Sequence, residues 1–240
     1  MADRRDLLKS TIAGCGLLAG AAAGGPVHAA GKEKPTSANE DLMREHSVLR
    51  RALLVYGEAA QRLDRDAGSI PADALRKIAR LFRAFGEDYH ERRLEEKFIF
   101  PAVRKLKGPV ARYPDILEQQ HERGRALNSY VLQVSNGGKV ASSSAAPLAK
   151  ALREFNLMYE HHAAREDADV FTAWKESLSA RAYEEMGEQF EHIEQQVFGH
   201  DGFEDALGKI AAITAFSPQC VLAPTALPRA RTAVGNTSLI

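Results

Sequence analysis

The sequence predicts an all-α protein, an up-down-up-down four-helix bundle with an additional C-terminal helix. Apolar residues recur every three to four positions over long stretches, and no long Val/Ile-rich run alternates with period two. Ala, Leu, Glu and Arg, which favour helix, dominate the composition. Proline and glycine clusters separate the periodic stretches by short connections, so consecutive helices are expected to be antiparallel neighbours.

The bulk composition bounds the class of protein. A chain of 240 residues that is 45% hydrophobic can form one domain with a core, plus tails. Lys+Arg and Asp+Glu both number 32, so the formal net charge is zero. A nucleic-acid binder would show a basic excess, and that class is therefore not expected. Two cysteines, Cys15 and Cys220, cannot make a disulfide framework.

Residues 1–30 are predicted to be a twin-arginine export signal. Residues 4–9 read Arg-Arg-Asp-Leu-Leu-Lys, an Ala/Gly/Leu stretch follows, and Val-His-Ala at 27–29 resembles a small-residue cleavage site. The apolar stretch is too short and glycine-rich for a transmembrane helix. The twin-arginine route carries folded proteins, often with a cofactor inserted. We therefore expect a periplasmic protein that leaves the membrane once the signal is cleaved.

Two alternatives remain for this N-terminal segment. One is a disordered or membrane-anchored N-terminus. The other is lipidation, because Ile-Ala-Gly-Cys at residues 12–15 also resembles a lipoprotein cleavage box.

The helices can be placed from their apolar stripes and their start signals. A polar linker, 31–38, leads into a bundle at 39–178, with Asn39 as N-cap and Pro71, Pro114 and Pro147 opening later helices. The four bundle helices are predicted at 40–64, 71–100, 114–135 and 147–177. A C-terminal helix at 179–214 carries a break at 198–203, and residues 215–240, with three prolines, are predicted to be an irregular tail.

Two similar stretches carry the chemistry. Residues 86–101 read GEDYHERRLEEKFIFP and residues 159–171 read YEHHAAREDADVF. An offset of 71 residues aligns Glu95 with Glu166 and His90 with His161. Facing bundle helices that carry histidine and carboxylate at matching depths can bind a pair of metal ions in their shared core.

Single histidines complete the pattern on the other two helices. His46 lies on the apolar stripe of the first helix and His121 on or near that of the third. A lone histidine on an apolar face is more often a packed core residue, but that interpretation does not explain one on each of four helices. The candidate metal-binding residues are His46, His90, Glu91, Glu95, His121, His162, Glu166 and Asp167.

Burying several carboxylates without partners is strongly unfavourable, and a metal ion removes that cost. Imidazole plus carboxylate suits iron, manganese or zinc. The lack of thiolates at these positions disfavours a structural zinc or an iron–sulfur cluster.

In these residues the sequence resembles the hemerythrin family, specifically bacterial hemerythrin-like His-His-Glu domains. The supporting residues are His46, His90-Glu91 with Glu95-Glu96, His121 in Glu-Gln-Gln-His-Glu, and His162 with Glu166-Asp167. The resemblance covers about 38–178. It implies two irons held by histidines and bridged by two carboxylates, with a position open for dioxygen. By position, His46, His121 and His162 would be terminal ligands, Glu166 one bridge, and the second helix would supply His90 and the other bridge.

The second helix departs from the family pattern. His90 and Glu95 are five residues apart and diverge by roughly 140° on a regular helix, whereas Glu91 and Glu95 differ by about 40°. Either Glu91 joins Glu95 as the ligand pair, or a π-bulge brings His90 round.

The other two departures concern the fourth and third helices. His162 lies four residues before Glu166 and five before Asp167, and the internal alignment favours Glu166. Arg125 occupies the place of a second histidine that oxygen carriers have on the third helix.

Three functions fit this sequence. The first is an exported non-haem diiron protein that binds dioxygen or a related small oxidant. The second is a diiron enzyme: a peroxidase, nitric oxide reductase or ferroxidase. The third is a helical interaction module that holds no metal.

Overall fold

The computed structural model describes residues 36–214, and all regular secondary structure within that range is helical. The predicted all-α class is confirmed for this part of the chain. The predictions for residues 1–30 and 215–240 lie outside the described residues. None of the helices in the described range is long and apolar enough to cross a membrane.

Six helices make up the described part of the chain. They are α1 (Ala38–Arg65), α2 (72–103), α3 (Tyr113–Val134), α4 (142–176), α5 (Ala180–Phe198) and α6 (Gly202–Thr214). Two of them contain π-helical turns. In α2, Ala72–Leu81 continues as the first π segment, Phe82–Ile99, and then as Phe100–Val103. In α4, Ser142–Arg165 continues as the second π segment, Glu166–Val170, and then as Phe171–Glu176.

The start of α1 differs from the prediction. The N-cap is Ser37, not Asn39, and it forms a capping box in which the Glu40 carboxylate accepts from the Ser37 N–H at 2.9 Å. Asn39 lies inside the first turn, and its side-chain amide donates to the carbonyl of Phe171 at 3.0 Å. This bond ties the start of α1 to the end of α4.

The start of α4 also differs. The helix begins at Ser142, so the serines at 142–144, predicted to be a loop, form its first turn and Pro147 lies within the helix. The proline removes one backbone hydrogen bond. The additional turn buries Ala145 against the core, and this burial adds to the stability of the helix start. The predicted break near 198–203 is confirmed: Gly199 has φ of 71° and separates α5 from α6.

Contacts along neighbouring helices run in opposite directions. Between α1 and α4, Asn39 contacts Phe171, Asn156 donates to the Leu53 carbonyl, and Asp64 pairs with Arg153. Between α2 and α3, Glu96 contacts His121, Glu87 contacts Asn128, and Arg76 contacts the Ser135 carbonyl. Both pairs are therefore antiparallel, and all four helices bring their histidines to one level.

An aromatic layer closes the core beside that level. Phe82 packs edge-on against Phe155 and Tyr159, with ring centroids 4.9 and 4.8 Å away. Tyr56 lies against Phe155 and donates its hydroxyl to Asn128 at 2.9 Å. These buried side chains form an apolar layer next to the polar cluster.

Helices α5 and α6 cover the other side. The Phe190 ring stacks on Trp174 at 5.7 Å, and the Phe198 ring meets Tyr89 at 5.1 Å. Between the two helices, the buried Glu194 carboxylate accepts the backbone N–H groups of Gly202 and Phe203. The carboxylate thus caps the start of α6 and fixes the corner against the bundle.

Candidate metal centre

Six polar side chains from four helices converge in the core, and none is more than 2% exposed. They are His46 from α1, His90 and Glu95 from α2, His121 from α3, and His162 and Glu166 from α4. All six are among the residues predicted from the sequence.

Each of the two carboxylates faces two histidines. The Oε1 and Oε2 atoms of Glu95 lie 3.3 Å from His90 Nε2 and 3.3 Å from His121 Nε2. The Oε1 and Oε2 atoms of Glu166 lie 3.1 Å from His162 Nε2 and 3.5 Å from His46 Nε2. Each carboxylate therefore presents one oxygen to either side of the cluster.

The histidines form two pairs. Nε2 of His46 lies 3.0 Å from Nε2 of His90, and Nε2 of His121 lies 3.1 Å from Nε2 of His162. His46 and His90 with Glu95 can hold one metal ion, and His121 and His162 with Glu95 and Glu166 can hold another. We call these the first and second half-sites.

The carboxylate oxygens make the strongest case for a cation. Both oxygens of Glu95 and both oxygens of Glu166 are buried and have no hydrogen-bond partner. A buried, unsatisfied carboxylate is costly, and native proteins seldom keep one without a functional reason. Four such oxygens close to four imidazole nitrogens fit a bound metal cation.

In each of the four cluster histidines, the ring nitrogen that points away from the centre, Nδ1, forms a hydrogen bond. The partners of Nδ1 are Asp167 for His46 at 2.6 Å, Glu45 for His90 at 2.6 Å, Glu96 for His121 at 2.8 Å and Gln120 for His162 at 3.0 Å. When Nδ1–H donates outward, the Nε2 lone pair faces the centre. This arrangement orients a histidine as a metal ligand and raises its basicity.

Glu91 and Asp167, two of the predicted metal-binding residues, lie outside the two half-sites. The Asp167 oxygens bind His46 Nδ1 and Arg50, the latter at 2.9 Å. Glu91 accepts from the Tyr159 hydroxyl and from Arg125 Nη2. Glu91, Glu96 and His121 form a further group close enough to hold an ion. The Arg125 guanidinium already forms an ion pair with each of those two carboxylates.

The geometry of α2 resolves the spacing problem. The first π segment carries His90 and Glu95 together, and their 3.3 Å contact shows that the π alternative, not a Glu91–Glu95 pair, describes this helix. The residue of α4 that corresponds to His90 is the buried His162, and not the exposed His161 that the internal alignment matched to it. The histidines are thus offset by 72 residues and the carboxylates by 71, and the π turns of α2 absorb the extra residue.

Both carboxylates open a π turn. The backbone N–H of Phe100 bonds the carbonyl of Glu95, and that of Phe171 bonds the carbonyl of Glu166, five residues back in each case. The Phe100 ring stacks on His121 at 5.5 Å and the Phe171 ring stacks on His46 at 5.4 Å. The same local device therefore positions a carboxylate and a covering ring in each half of the chain.

Sequence reasoning missed two residues of this cluster. Glu45 binds both His90 Nδ1 and the Tyr89 hydroxyl, the latter at 2.7 Å. It lies three residues after Leu42 and four before Leu49, so a buried acid on the apolar stripe was a readable signal. Gln120 carries no such signal, because a glutamine on a helix is usually solvated.

The electrostatics are unfavourable as long as the carboxylates lack a cation. Burial and repulsion from Glu95 raise the pKa of Glu166 well above its usual range. Burial and the neighbouring His121 lower the pKa of His162 to about 3. A neutral imidazole is the form that binds metal, so His162 is ready to bind without losing a proton.

These features define a class: a helical protein with a buried cluster of histidines and shared carboxylates that can hold metal. Within that class, residues 37–174 match the Hemerythrin HHE cation binding domain, and the chain belongs to this family. The family resemblance predicted from the sequence is confirmed.

Three mycobacterial proteins are similar to this chain. They are the uncharacterized proteins Mb2018 of Mycobacterium bovis and MT2051 and Rv1995 of Mycobacterium tuberculosis. Each is 38% identical over 220 residues, a match that covers 88% of this chain and 85% of the relative. The similarity therefore extends well beyond residues 37–174. No solved structure matches this chain.

Proposed function

We propose that this chain is an exported non-haem diiron protein that binds dioxygen or a related small oxidant, for storage or scavenging. Membership of a cation-binding family supports a metal site. The observation that carries the proposal is the pair of unpartnered carboxylates, Glu95 and Glu166, shared between two histidine pairs. We also infer that α1 to α4 form an up-down-up-down bundle, since the contacts of α1 with α4 and of α2 with α3 are antiparallel.

The donor set supports iron and the count of two. Each half-site offers two imidazoles, and each histidine pair faces one oxygen of Glu95 and one oxygen of Glu166 at 3.1 to 3.5 Å, with no thiolate among these groups. Carboxylate-bridged pairs of iron or manganese are characteristic of helical bundles. Iron, when bound, supplies a redox-active centre with an open position for a small molecule.

The surrounding residues favour binding over turnover. Both tyrosines nearest the site are engaged elsewhere, Tyr89 with Glu45 and Tyr159 with Glu91. Burial and the adjacent Glu91 raise the pKa of Tyr159 well above its usual range, so this phenol keeps its proton. Aromatic rings exclude water on the side of Phe82 and Phe155. A dry centre whose two nearest phenols are already engaged suits reversible binding.

One observation favours a diiron enzyme as the second candidate. Arg125 stands where oxygen carriers have a further histidine, and it joins Glu91 and Glu96 beside His121. Fewer histidines and more carboxylates direct such a site toward oxygen activation. A peroxidase, nitric oxide reductase or ferroxidase would consume its substrate over many turnovers.

Metal analysis and absorption spectra test the proposal. Protein expressed in the cytoplasm and purified without oxygen should hold close to two irons per chain, and its spectrum should change on exposure to oxygen and return when oxygen is removed. An irreversible change with steady substrate consumption would favour the enzyme. A single stoichiometric zinc, or no metal after anaerobic reconstitution, would contradict both.

Two adjacent histidines provide the matched control. His162→Gln should lose at least one iron, because His162 Nε2 faces Glu166. His161→Gln should retain the metal, because His161 is exposed one residue away.

Export is the second part of the proposal and is tested separately. Replacing Arg4 and Arg5 with lysine should leave the precursor in the cytoplasm, because the twin-arginine receptor reads the two guanidinium groups. Normal periplasmic accumulation of the lysine form would exclude this route. The iron content of the retained precursor should be unchanged.

A further inference from the structure

We propose that an apolar groove between α2 and α6 binds one molecule of a free long-chain carboxylate. The groove has a volume of about 580 Å³, and its apolar lining includes Ala74, Leu81, Phe85, Phe198, Ala206 and Ile213. Small-molecule sites in proteins are clefts of about 300–1,000 Å³ with largely apolar walls and a few polar groups that fix the ligand. The groove lies outside the metal cluster, and the proposal does not depend on the proposed function.

The charged side chains at the rim favour an anionic group. Lys77 pairs with Asp73 at 2.8 Å, and Lys209 pairs with Asp205 at 2.6 Å. Arg80, the remaining charged residue of the lining, is exposed and forms no ion pair within residues 36–214. The rim therefore carries one surplus positive charge. A guanidinium can bind a carboxylate through two parallel hydrogen bonds, so Arg80 is the expected partner of the ligand's headgroup.

The groove follows the two helices and is elongated. The Phe85 and Phe198 rings stack 5.9 Å apart, which places the start of α6 beside Phe85. Ala212 and Ile213, in the last turn of α6, line the same groove as Pro71, which directly precedes α2. Helix α6 therefore runs along α2 from Phe85 toward Pro71, and the apolar floor extends between these two ends.

The length of the groove fits one acyl chain. Along α2, the lining from Pro71 to Phe85 corresponds to a rise of roughly 21 Å. A carboxylate at Arg80 leaves roughly 14 Å of groove on the side of Pro71. One acyl chain of a bilayer spans about half of the ~30 Å hydrocarbon core, which is roughly 15 Å. A single extended chain can thus lie beside Ala74 and Ala212 while its headgroup binds Arg80.

The same charges argue against a membrane surface as the occupant. Anionic lipid surfaces are bound by clusters of several lysines and arginines. Here the two lysines of the lining are each paired with an aspartate, and Arg80 alone is left for an anion. One free guanidinium at the edge of an apolar groove matches one carboxylate with one chain.

Calorimetric titration of the full-length, metal-loaded protein tests the site, with dodecanoate as the probe at low salt. We expect one dodecanoate to bind per chain. Dodecyltrimethylammonium has the same chain with the opposite charge and should bind at least about tenfold more weakly. Butyrate keeps the carboxylate but has a short chain, and it should also bind at least about tenfold more weakly.

Substitutions on the two helices test the headgroup and the chain separately. Arg80→Gln should weaken dodecanoate binding about tenfold, because it removes the surplus charge. Arg93→Gln makes the same charge change at an exposed position of α2 outside the groove and should have no effect. Ala212→Trp should abolish binding by filling the groove, whereas Ala126→Trp, at an exposed position of α3, should not. Circular dichroism and iron content should be unchanged in all four variants.

Several results would overturn the proposal. They are a failure of dodecanoate to bind, equal affinity for the two dodecyl compounds, an undiminished affinity in Arg80→Gln, or undiminished binding to Ala212→Trp. If Ala212→Trp does not fold, Arg80→Gln and the two dodecyl compounds still decide. Sedimentation with phosphatidylglycerol vesicles without binding of dodecanoate would favour a membrane surface. A concentration-dependent dimer that does not bind dodecanoate would favour a second copy of the chain.

Discussion

The direction in which a carboxylate points its oxygen atoms decides whether it belongs to the centre. Glu166 and Asp167 are neighbours on α4, yet Glu166 aims both oxygens inward while Asp167 binds the outer nitrogen of His46 and Arg50. The Arg50 guanidinium and the His46 imidazole overcome the effect of partial burial and lower the pKa of Asp167. The acid one residue further round the helix therefore has a different role.

The exchange of one carboxylate for an amide separates these roles. Glu166→Gln should lose at least one iron, because an amide offers one oxygen where two are needed. Asp167→Asn should keep both irons, with affinity reduced roughly 10- to 100-fold, as for other residues that orient a ligand. Iron per chain after titration with a chelator measures both. If Asp167→Asn strips the metal and Glu166→Gln does not, Asp167 is the bridge.

The pKa of His162 gives a pH dependence with a defined sign. The value is about 3 in the fold against an ordinary 6.5. Between these values the unfolded chain binds a proton that the fold excludes, so the free energy of unfolding falls as pH is lowered through that window. Metal-free His162→Gln should therefore lose less free energy of unfolding between pH 7 and pH 4 than metal-free wild type.

Urea unfolding at several pH values measures this difference. His161→Gln is the control, because an exposed histidine should leave the wild-type pH dependence unchanged. A constant gap between wild type and His162→Gln across the window would show that His162 is protonated in the folded protein.

The sequence predicted the ligand types but not every orientation. Histidines on four apolar stripes and two acidic clusters sufficed to name the six residues that converge. The positions of Glu91 and Asp167 depended on Arg125 and Arg50, which lie on other helices. Periodicity within one helix does not show which cation on a neighbouring helix will take a carboxylate.

The π turns are the structural elements that tune the register of the site. In α2 they bring His90 within 3.3 Å of Glu95 across a five-residue spacing. In α4 the corresponding His162–Glu166 pair is four residues apart, and Glu166 is the first residue of the π segment there, so no π turn lies between the two. From the sequence, the π-bulge was one of two alternatives. The choice between them depends on how both faces of α2 pack against the other helices, which the sequence of one helix does not show.

Deletion of one residue tests this interpretation of α2. Removing the exposed Arg93 leaves His90 four residues before its carboxylate, and the segment should return toward regular α-helix with iron retained. The control is deletion of the exposed Arg123 from α3, a helix that contains no π turn to absorb the change in register. That deletion should rotate His121 against Leu127 by about 100° and abolish both iron binding and cooperative unfolding.

Iron content and thermal unfolding followed by circular dichroism distinguish the two deletions. Equal damage from both would show that the π segment does not absorb the change in register. Equal tolerance would show that the position of His121 on α3 is unimportant.

At the scale of the whole molecule, α5 and α6 are joined to the bundle through a few large rings. The only tryptophan, Trp174, is buried at the end of α4 under Phe190 of α5. The sequence predicted a C-terminal helix with a break but not its docking face, since that face depends on where α4 ends.

Removal of the covering ring tests whether these parts form one unit. Phe190→Ala should destabilise the fold by about 3–5 kcal/mol, as for other buried phenylalanines, and shift Trp174 fluorescence to longer wavelength. In wild type, fluorescence and circular dichroism should report the same unfolding midpoint. Val197→Ala, a partly exposed position on α5, is the control and should cost little. An earlier fluorescence transition in wild type would show that α5 detaches first.

The hydrogen bond from Gln120 makes the two halves of the centre electronically unequal. Nδ1 of three of the histidines is hydrogen-bonded to a carboxylate, whereas Nδ1 of His162 is hydrogen-bonded to the neutral Gln120 amide at 3.0 Å. An imidazole backed by an amide is the weaker electron donor. The first half-site should therefore fill first and empty last, and the two ions should differ in redox potential. A protein of this kind can pass through a half-loaded form in which one position is taken and the other is still exchanging with the surrounding pool of metal.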